Sequence, residues 1–193
     1  GISAATVVYT VLHAGGKFDN SSYKTSGGLH GVGSSVVNAL SEKMIVQVMR
    51  DGCVYQDEYS KGKPVLKLKK GELLPVVDKT EKTGTRITFY PDGSIFDTTK
   101  FKADALRERI KETAYLNPEL TVSFINERDG KEKEIFHEPG GISGFVDSLL
   151  LQESDAGRLT RTVSVEGEKD GISVKVSFCF SQRFGDNIVS FCN

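Results

Sequence analysis

An excess of basic charge is missing from this chain. The 193 residues carry 25 Lys and Arg against 26 Asp and Glu, for a formal net charge of −1. A protein that grips nucleic acid mainly by neutralising phosphates shows a basic surplus, so that class of function is not advertised here. The local cluster Lys61, Lys63, Lys67, Lys69 and Lys70 lies among strand and turn signals with no interleaved aromatic residues. It reads as protection of a sheet edge rather than as a strand-binding groove. Cysteine is scarce, and Cys53, Cys179 and Cys192 show neither CxxC nor Cys/His spacing. That pattern excludes a zinc site or disulfide framework and leads to the expectation of reduced thiols in a cytoplasm. No apolar run approaches the ~20 residues that span a bilayer, and the first 14 residues lack the basic n-region of a signal peptide.

What is present is enough apolar material, 38% of the residues, for one main core and part of a second. Ala5, Val8, Tyr9 and Leu12 fall at i, i+3, i+4 and i+7 and predict a helix, capped by Ser3 and stopped at Gly15-Gly16. Strand-like runs flank Asp51-Gly52, Asp129-Gly130 and Asp170-Gly171, and each pair predicts a hairpin. Arg86 to Tyr90 alternates like a half-buried strand; Leu106, Ile110 and Ala114 mark a helix ending near Pro118. Residues 140–150 read as a helix with Phe145 and Leu149 on one side. Periodicity breaks after it, between 151 and 161. Ile172, Val174, Val176, Phe178 and Phe180 then alternate with polar residues, so one face of that strand is expected to be buried.

The most informative segment is Ser26-Gly-Gly-Leu-His-Gly-Val-Gly33, followed by a short helical run from Ser34 to Leu40. Glycines let the backbone adopt positive φ and let a ligand reach peptide N–H groups without meeting a Cβ. Before a helix N-terminus such a loop cradles anions, and a nucleotide polyphosphate is the expected ligand. No Lys follows Gly33 as a P-loop requires, and Val36 stands where a dinucleotide-binding turn needs its third glycine. The polar run from Lys17 to Thr25 that enters the loop reads as a mobile lid. On motif grounds alone, a ligand-free glycine connection stands beside the cradle as an equal alternative.

The blocks Thr10-Val-Leu-His-Ala-Gly-Gly-Lys-Phe-Asp19, Tyr23-Lys-Thr-Ser-Gly-Gly-Leu-His-Gly-Val-Gly33 and Ser35-Val-Val-Asn-Ala-Leu-Ser41 closely resemble the B subunits of bacterial type II topoisomerases. Lys82-Thr-Gly-Thr85 and Gly140-Gly-Ile142 look like the same family, and the likeness runs along the whole chain. The family has a supercoiling branch, gyrase, and a decatenating branch, topoisomerase IV; the reading here leans to the first. The resemblance implies an α+β two-layer sandwich of the ATPase superfamily that also holds histidine kinases and MutL. It implies an ATPase domain over residues 1–155 and the opening strands of a transducer domain over 156–193.

Residue by residue, the resemblance assigns the triphosphate to the backbone of Gly28, Leu29, His30, Gly31, Val32 and Gly33. Lys17 becomes the lid lysine that reaches the phosphates and Tyr23 the lid tyrosine near the base. Ser35 sits in the first turn below the phosphates, and Thr85 helps hold the adenine edge through an inward hydroxyl. Arg50 falls at the pocket mouth, where coumarin inhibitors are gripped. Duller readings accompany these: His30 as a solvent-facing loop residue with only its backbone engaged, Lys17 and Lys24 as solvated lysines, Arg50 as an exposed strand end, and His13 and His137 as structural. The resemblance further implies ATP with Mg²⁺, a gate formed between two B-type protomers, a complex with A-type protomers of A2B2 composition, and double-stranded DNA as the substrate. The family's general base, Mg²⁺ ligand and adenine-reading aspartate are expected upstream of Gly1, and Glu42, Glu58 and Glu72 do not replace them. Residues 1–193 alone are thus expected to be catalytically silent, with a nucleotide- or inhibitor-binding module as the alternative class.

Overall fold

The computed structural model describes residues 3–14, 31–69, 71–128, 130, 132–151 and 157–191. The chain divides into two compact units, Gly1–Lys100 with Ser190–Asn193, and Phe101–Val189. The first contains α1 (Ala4–Thr10), α2 (Gly33–Ala39), β1 (Ser41–Arg50), β2 (Cys53–Ser60), β3 (Lys63–Pro64), β4 (Val76–Lys79) and β5 (Gly84–Pro91). Its five strands form one antiparallel sheet in the order β3-β2-β1-β5, with β4 also paired to β2.

The β1–β2 hairpin closes where Asp51-Gly52 predicts it, with Arg50 opposite Cys53. Both turn residues have positive φ, 53° and 77°, as a type I′ turn demands, and its twist matches that of the strands. A second turn of the same kind joins β2 to β3 through Lys61 and Gly62, at φ 51° and 81°. It carries no Asn-Gly or Asp-Gly signal, and Lys61 is held in its left-handed conformation by bonds at both ends. Its amide donates to Ser41 O at 3.0 Å and its ammonium lies 2.9 Å from Asp92.

Strand register decides the two faces of the sheet. Met44, Val46 and Val48 of β1 stand opposite Tyr59, Asp57 and Tyr55 of β2 and opposite Phe89, Ile87 and Thr85 of β5. The core sits on this face, where Tyr9 of α1 packs on Met44, Val46 and Tyr59. Burying such side chains contributes about 1.5–3 kcal/mol each. The opposite face is polar: Gln47 donates to Gln56 at 2.8 Å, and Lys43 pairs with Glu58 at 3.6 Å.

The buried side of α1 differs from the predicted stripe. Thr6 and Tyr9 are buried, whereas Val8 and Leu12 are exposed. A buried hydrogen-bond partner accounts for the shift: Thr6 Oγ1 donates to Asp57 Oδ2 at 2.8 Å, so the helix turns a polar residue inward. Ser3 caps the helix as expected, accepting from the Thr6 amide at 3.0 Å. The helix ends at Thr10; the expected Gly15-Gly16 stop lies outside the described residues. β5 forms as expected, but Ile87, Phe89 and Tyr90 are exposed rather than half-buried, since among the described residues no layer covers that part of the sheet.

The second unit contains α3 (Ala103–Leu116), β6 (Val122–Ile125), β7 (Lys133–Phe136), α4 (Gly141–Leu151), β8 (Val163–Lys169) and β9 (Ile172–Phe178). Arg107 of α3 grips Glu134 of β7 through Nε at 2.7 Å and stacks over Phe124. Gly144 lets α4 approach α3, because a Cβ there would stand 3.3 Å from the Tyr115 ring. β6 and β7 form an antiparallel hairpin with Ile125 opposite Lys133; Asp129 of the expected Asp129-Gly130 turn lies outside the described residues. Asp170-Gly171 does form the tight β8–β9 turn. The alternating face of β9 is present, yet Ile172, Val174, Val176 and Phe178 are exposed, because β8 and β9 form a sheet of their own with two strands.

Two stability outcomes follow from the first unit. Tyr59→Phe removes a 2.6 Å O–H bond to the buried Asp57 carboxylate and should cost about 1–3 kcal/mol in urea unfolding; an unchanged midpoint would show that the bond contributes nothing. The Asp92 carboxyl is held down at about 2, first by the Lys61 ammonium and then by the Ser94 hydroxyl and amide. A depressed carboxylate stabilises above its unfolded pKa and loses that contribution as pH falls through the folded one. Melts taken between about pH 4 and pH 2 should therefore fall more steeply for the native chain than for Asp92→Asn; parallel curves would remove this role.

Candidate functional site

The glycine loop enters the described structure at Gly31, whose φ of 60° is one that only glycine adopts without strain. Val32 follows as the N-cap of α2 at φ −104° and ψ −14°, and no side chain caps the helix. The amides of the first turn, Gly33 to Ser35, have no intrahelical acceptor by the geometry of any α-helix. Gly33 has ordinary helical φ, and a Cβ built on it meets nothing within 4 Å among the described residues. Of these two glycines, then, Gly31 is required by the backbone, while Gly33 borders open space.

Ser35 is buried and its hydroxyl donates to Val32 O at 2.9 Å. Its proton therefore braces the turn, leaving its oxygen as an acceptor. An α2 of 7 residues is too short to be stable alone, and a long-range hydrogen bond, a local one and close packing hold it. Asn38, fully buried, donates from Nδ2 to Tyr9 O at 2.9 Å, and its Oδ1 has no partner. Ser41 Oγ donates to Val37 O at 2.6 Å, and a Cβ on Gly62 would lie 3.3 Å from Ala39 Cα.

Beneath these helices lies a buried carboxylate that the sequence reading did not single out. Asp57 is 1% exposed and accepts from Thr6 Oγ1 at 2.8 Å, Tyr59 Oη at 2.6 Å and the Glu58 amide at 3.0 Å. Burial, then the Asp57 bond, pushes the Tyr59 hydroxyl far up, so it stays a donor at every accessible pH. The signal was available: Asp57 occupies an inward phase of β2 between Tyr55 and Tyr59, where strand alternation calls for an apolar residue.

Two of the expected site residues, Thr85 and Arg50, lie apart from the loop in sequence. Thr85 stands opposite Val48 and so on the helix side of the sheet, but it is exposed among the described residues. Arg50 shares that face at the turn end of β1; its side chain is 76% exposed and Nε lies 3.2 Å from Asp51. Lys17, Tyr23, Gly28, Leu29 and His30, with the whole expected lid, lie outside the described residues. No group of three or more His, Cys, Asp or Glu among the described residues could hold a metal ion. No described helix is long and apolar enough to cross a membrane.

No family profile matches the chain. It is 45% identical over 188 residues to the gyrase B protein of Campylobacter jejuni, covering 97% of this chain and 23% of that protein. It is 46% identical over 194 residues to the topoisomerase 4 B protein of Streptococcus pneumoniae, covering 100% of this chain and 29% of that protein. Its fold matches the 43K ATPase domain of Thermus thermophilus gyrase B, solved in complex with an aminocoumarin, at a TM-score of 0.71 and 32% identity. That match covers 96% of this chain and 44% of the solved one. The α+β fold, the glycine loop before α2 and this likeness agree: nearly the whole chain is similar to part of the ATPase region of type II topoisomerase B subunits, and it spans 23–30% of the length of the curated relatives it matches.

Proposed function

We propose that this chain supplies the phosphate-holding part of an ATP site in a B-type protein of a type II topoisomerase. The observation that carries the reading is the start of α2, with a left-handed glycine at Gly31 and, among the described residues, no side-chain cap at the N-terminus and open space beside Gly33. Amides in that arrangement suit the oxygens of a triphosphate, and the positive end of the helix favours its charge. Gly28, Leu29, His30, Gly31, Val32 and Gly33 hold the phosphates through their N–H groups, with Lys17 as counter-charge and Tyr23 beside the base. Ser35 braces the turn, Thr85 serves the adenine edge, and Arg50 lies at the mouth that an aminocoumarin occupies.

Mg²⁺ accompanies ATP in this reading, but the described residues offer it no cluster of ligands, and it is held by residues outside them. Binding of ATP acts as a conformational ligand: it closes a gate between two B-type protomers, which work with A-type protomers in an A2B2 complex to pass one DNA duplex through another in the cytoplasm. Residues from 156 onward open the transducer domain. The chain resembles gyrase and topoisomerase IV relatives to nearly the same degree, so the proposal rests on the ATP-driven strand passage they share, with supercoiling as the activity of the favoured branch.

The test compares Gly31→Val and Gly33→Ala in the intact protein by calorimetry with Mg²⁺ and a non-hydrolysable ATP analogue. Gly31→Val forces a β-branched residue to positive φ, costing about 1–3 kcal/mol, and should lower both stability and affinity. Gly33→Ala should leave the melting temperature unchanged or slightly raised, since alanine suits a helix, while weakening the analogue about tenfold, or by ~1.4 kcal/mol. Unchanged affinity in Gly33→Ala would contradict the assignment.

A further inference from the structure

We infer that Thr6, Asp57 and Asn38 are positioning residues that set the place of the phosphate cradle by linking α2 to the sheet through α1. The inference rests on the reading of the α2 N-terminus as the phosphate site. The chain of contacts is continuous. Asp57, fully buried on β2, accepts from Thr6 of α1 at 2.8 Å and from Tyr59 at 2.6 Å. Tyr9, one turn beyond Thr6, packs its ring at a tilt of 45° against Tyr59, with ring centroids 5.9 Å apart. The carbonyl of Tyr9 accepts from the fully buried Asn38 of α2 at 2.9 Å. Asn38 lies five residues after Gly33, within the same short helix.

Each link carries directional information that apolar packing lacks. A hydroxyl–carboxylate bond fixes distance and angle, and a charged acceptor makes it roughly twice as strong as a neutral one. Asp57 has no Lys or Arg within ion-pairing distance among the described residues. Its charge is therefore balanced by the two hydroxyls and the Glu58 amide, and loss of either hydroxyl weakens its hold on α1. Among the described residues, Asn38 supplies the long-range hydrogen bond of the 7-residue α2, beside the Ser41 bond to Val37 and the close approach of the Lys61-Gly62 turn to Ala39. The Asn38 bond to α1 thus fixes the rotation of α2, which decides where the amides of Gly33 to Ser35 stand.

The experiment measures binding of a Mg²⁺-loaded, non-hydrolysable ATP analogue to the intact protein, well below the melting temperature of every variant. Thr6→Val keeps the shape and removes the hydroxyl; Thr6→Ser keeps the hydroxyl. Thr6→Val and Asn38→Leu should each weaken the analogue about fivefold or more, while Thr6→Ser binds like the native protein. Because both act through one chain of contacts, the double variant should lose less than the product of the two single losses. If Thr6→Val melts earlier yet binds as tightly as the native protein, the residues are structural only and the inference is overturned. Multiplicative losses would overturn the shared path. If the native protein fails to bind the analogue, or Gly33→Ala binds normally, the phosphate-site reading itself falls; if Gly33→Ala weakens binding and Thr6→Val does not, the positioning inference alone falls.

Discussion

The arrangement of the first unit depends on the buried carboxylate of Asp57. Placing a carboxylate at 1% exposure is unfavourable by several kcal/mol unless its oxygens are satisfied. Asp57 is satisfied by two hydroxyls and an amide rather than by a cation. One of those hydroxyls belongs to α1 and the other to the tyrosine at the centre of the core, so the helix layer, sheet and core meet at this group. It explains why α1 buries Thr6 and Tyr9 in place of Val8 and Leu12.

From that point the structure builds toward the loop. α1 offers the Tyr9 carbonyl, Asn38 takes it, and α2 is held with its first turn open. A short helix held by a long-range hydrogen bond and close packing presents its amides in a fixed direction before a ligand arrives, and such preorganisation reduces the ordering cost of binding. The unpartnered Oδ1 of Asn38 is the one buried side-chain polar atom without a bond among the described residues. The Nδ2 of Asn38 reaches the Tyr9 carbonyl, while its Oδ1 finds no donor among the described residues.

Much of this was legible in the sequence. The Asp51-Gly52 and Asp170-Gly171 hairpins, α2 behind its glycines, α3 ending before Pro118 and α4 all follow from local turn chemistry and periodicity. What escaped the reading was non-local. The Lys61-Gly62 turn carries no dipeptide signal and is held by Ser41 and Asp92, each about twenty residues or more away. Asp57 looks like an exposed strand charge until Thr6 and Tyr59 are placed beside it. The faces of β5 and β9 alternate as a half-buried strand does, but alternation reports which face is apolar and not whether a second layer covers it. For the site, the loop was read from its glycines, whereas Gly31 and Gly33 divide into a backbone requirement and an open border only once φ is known.

The central claim is that the start of α2 receives the phosphates of ATP. The most direct measurement is a crystal structure of the intact protein with Mg²⁺ and a non-hydrolysable ATP analogue. The account predicts phosphate oxygens about 3 Å from the amides between Gly31 and Ser35, with α2 in the place it holds here. A triphosphate bound elsewhere, with those amides facing water, would contradict it.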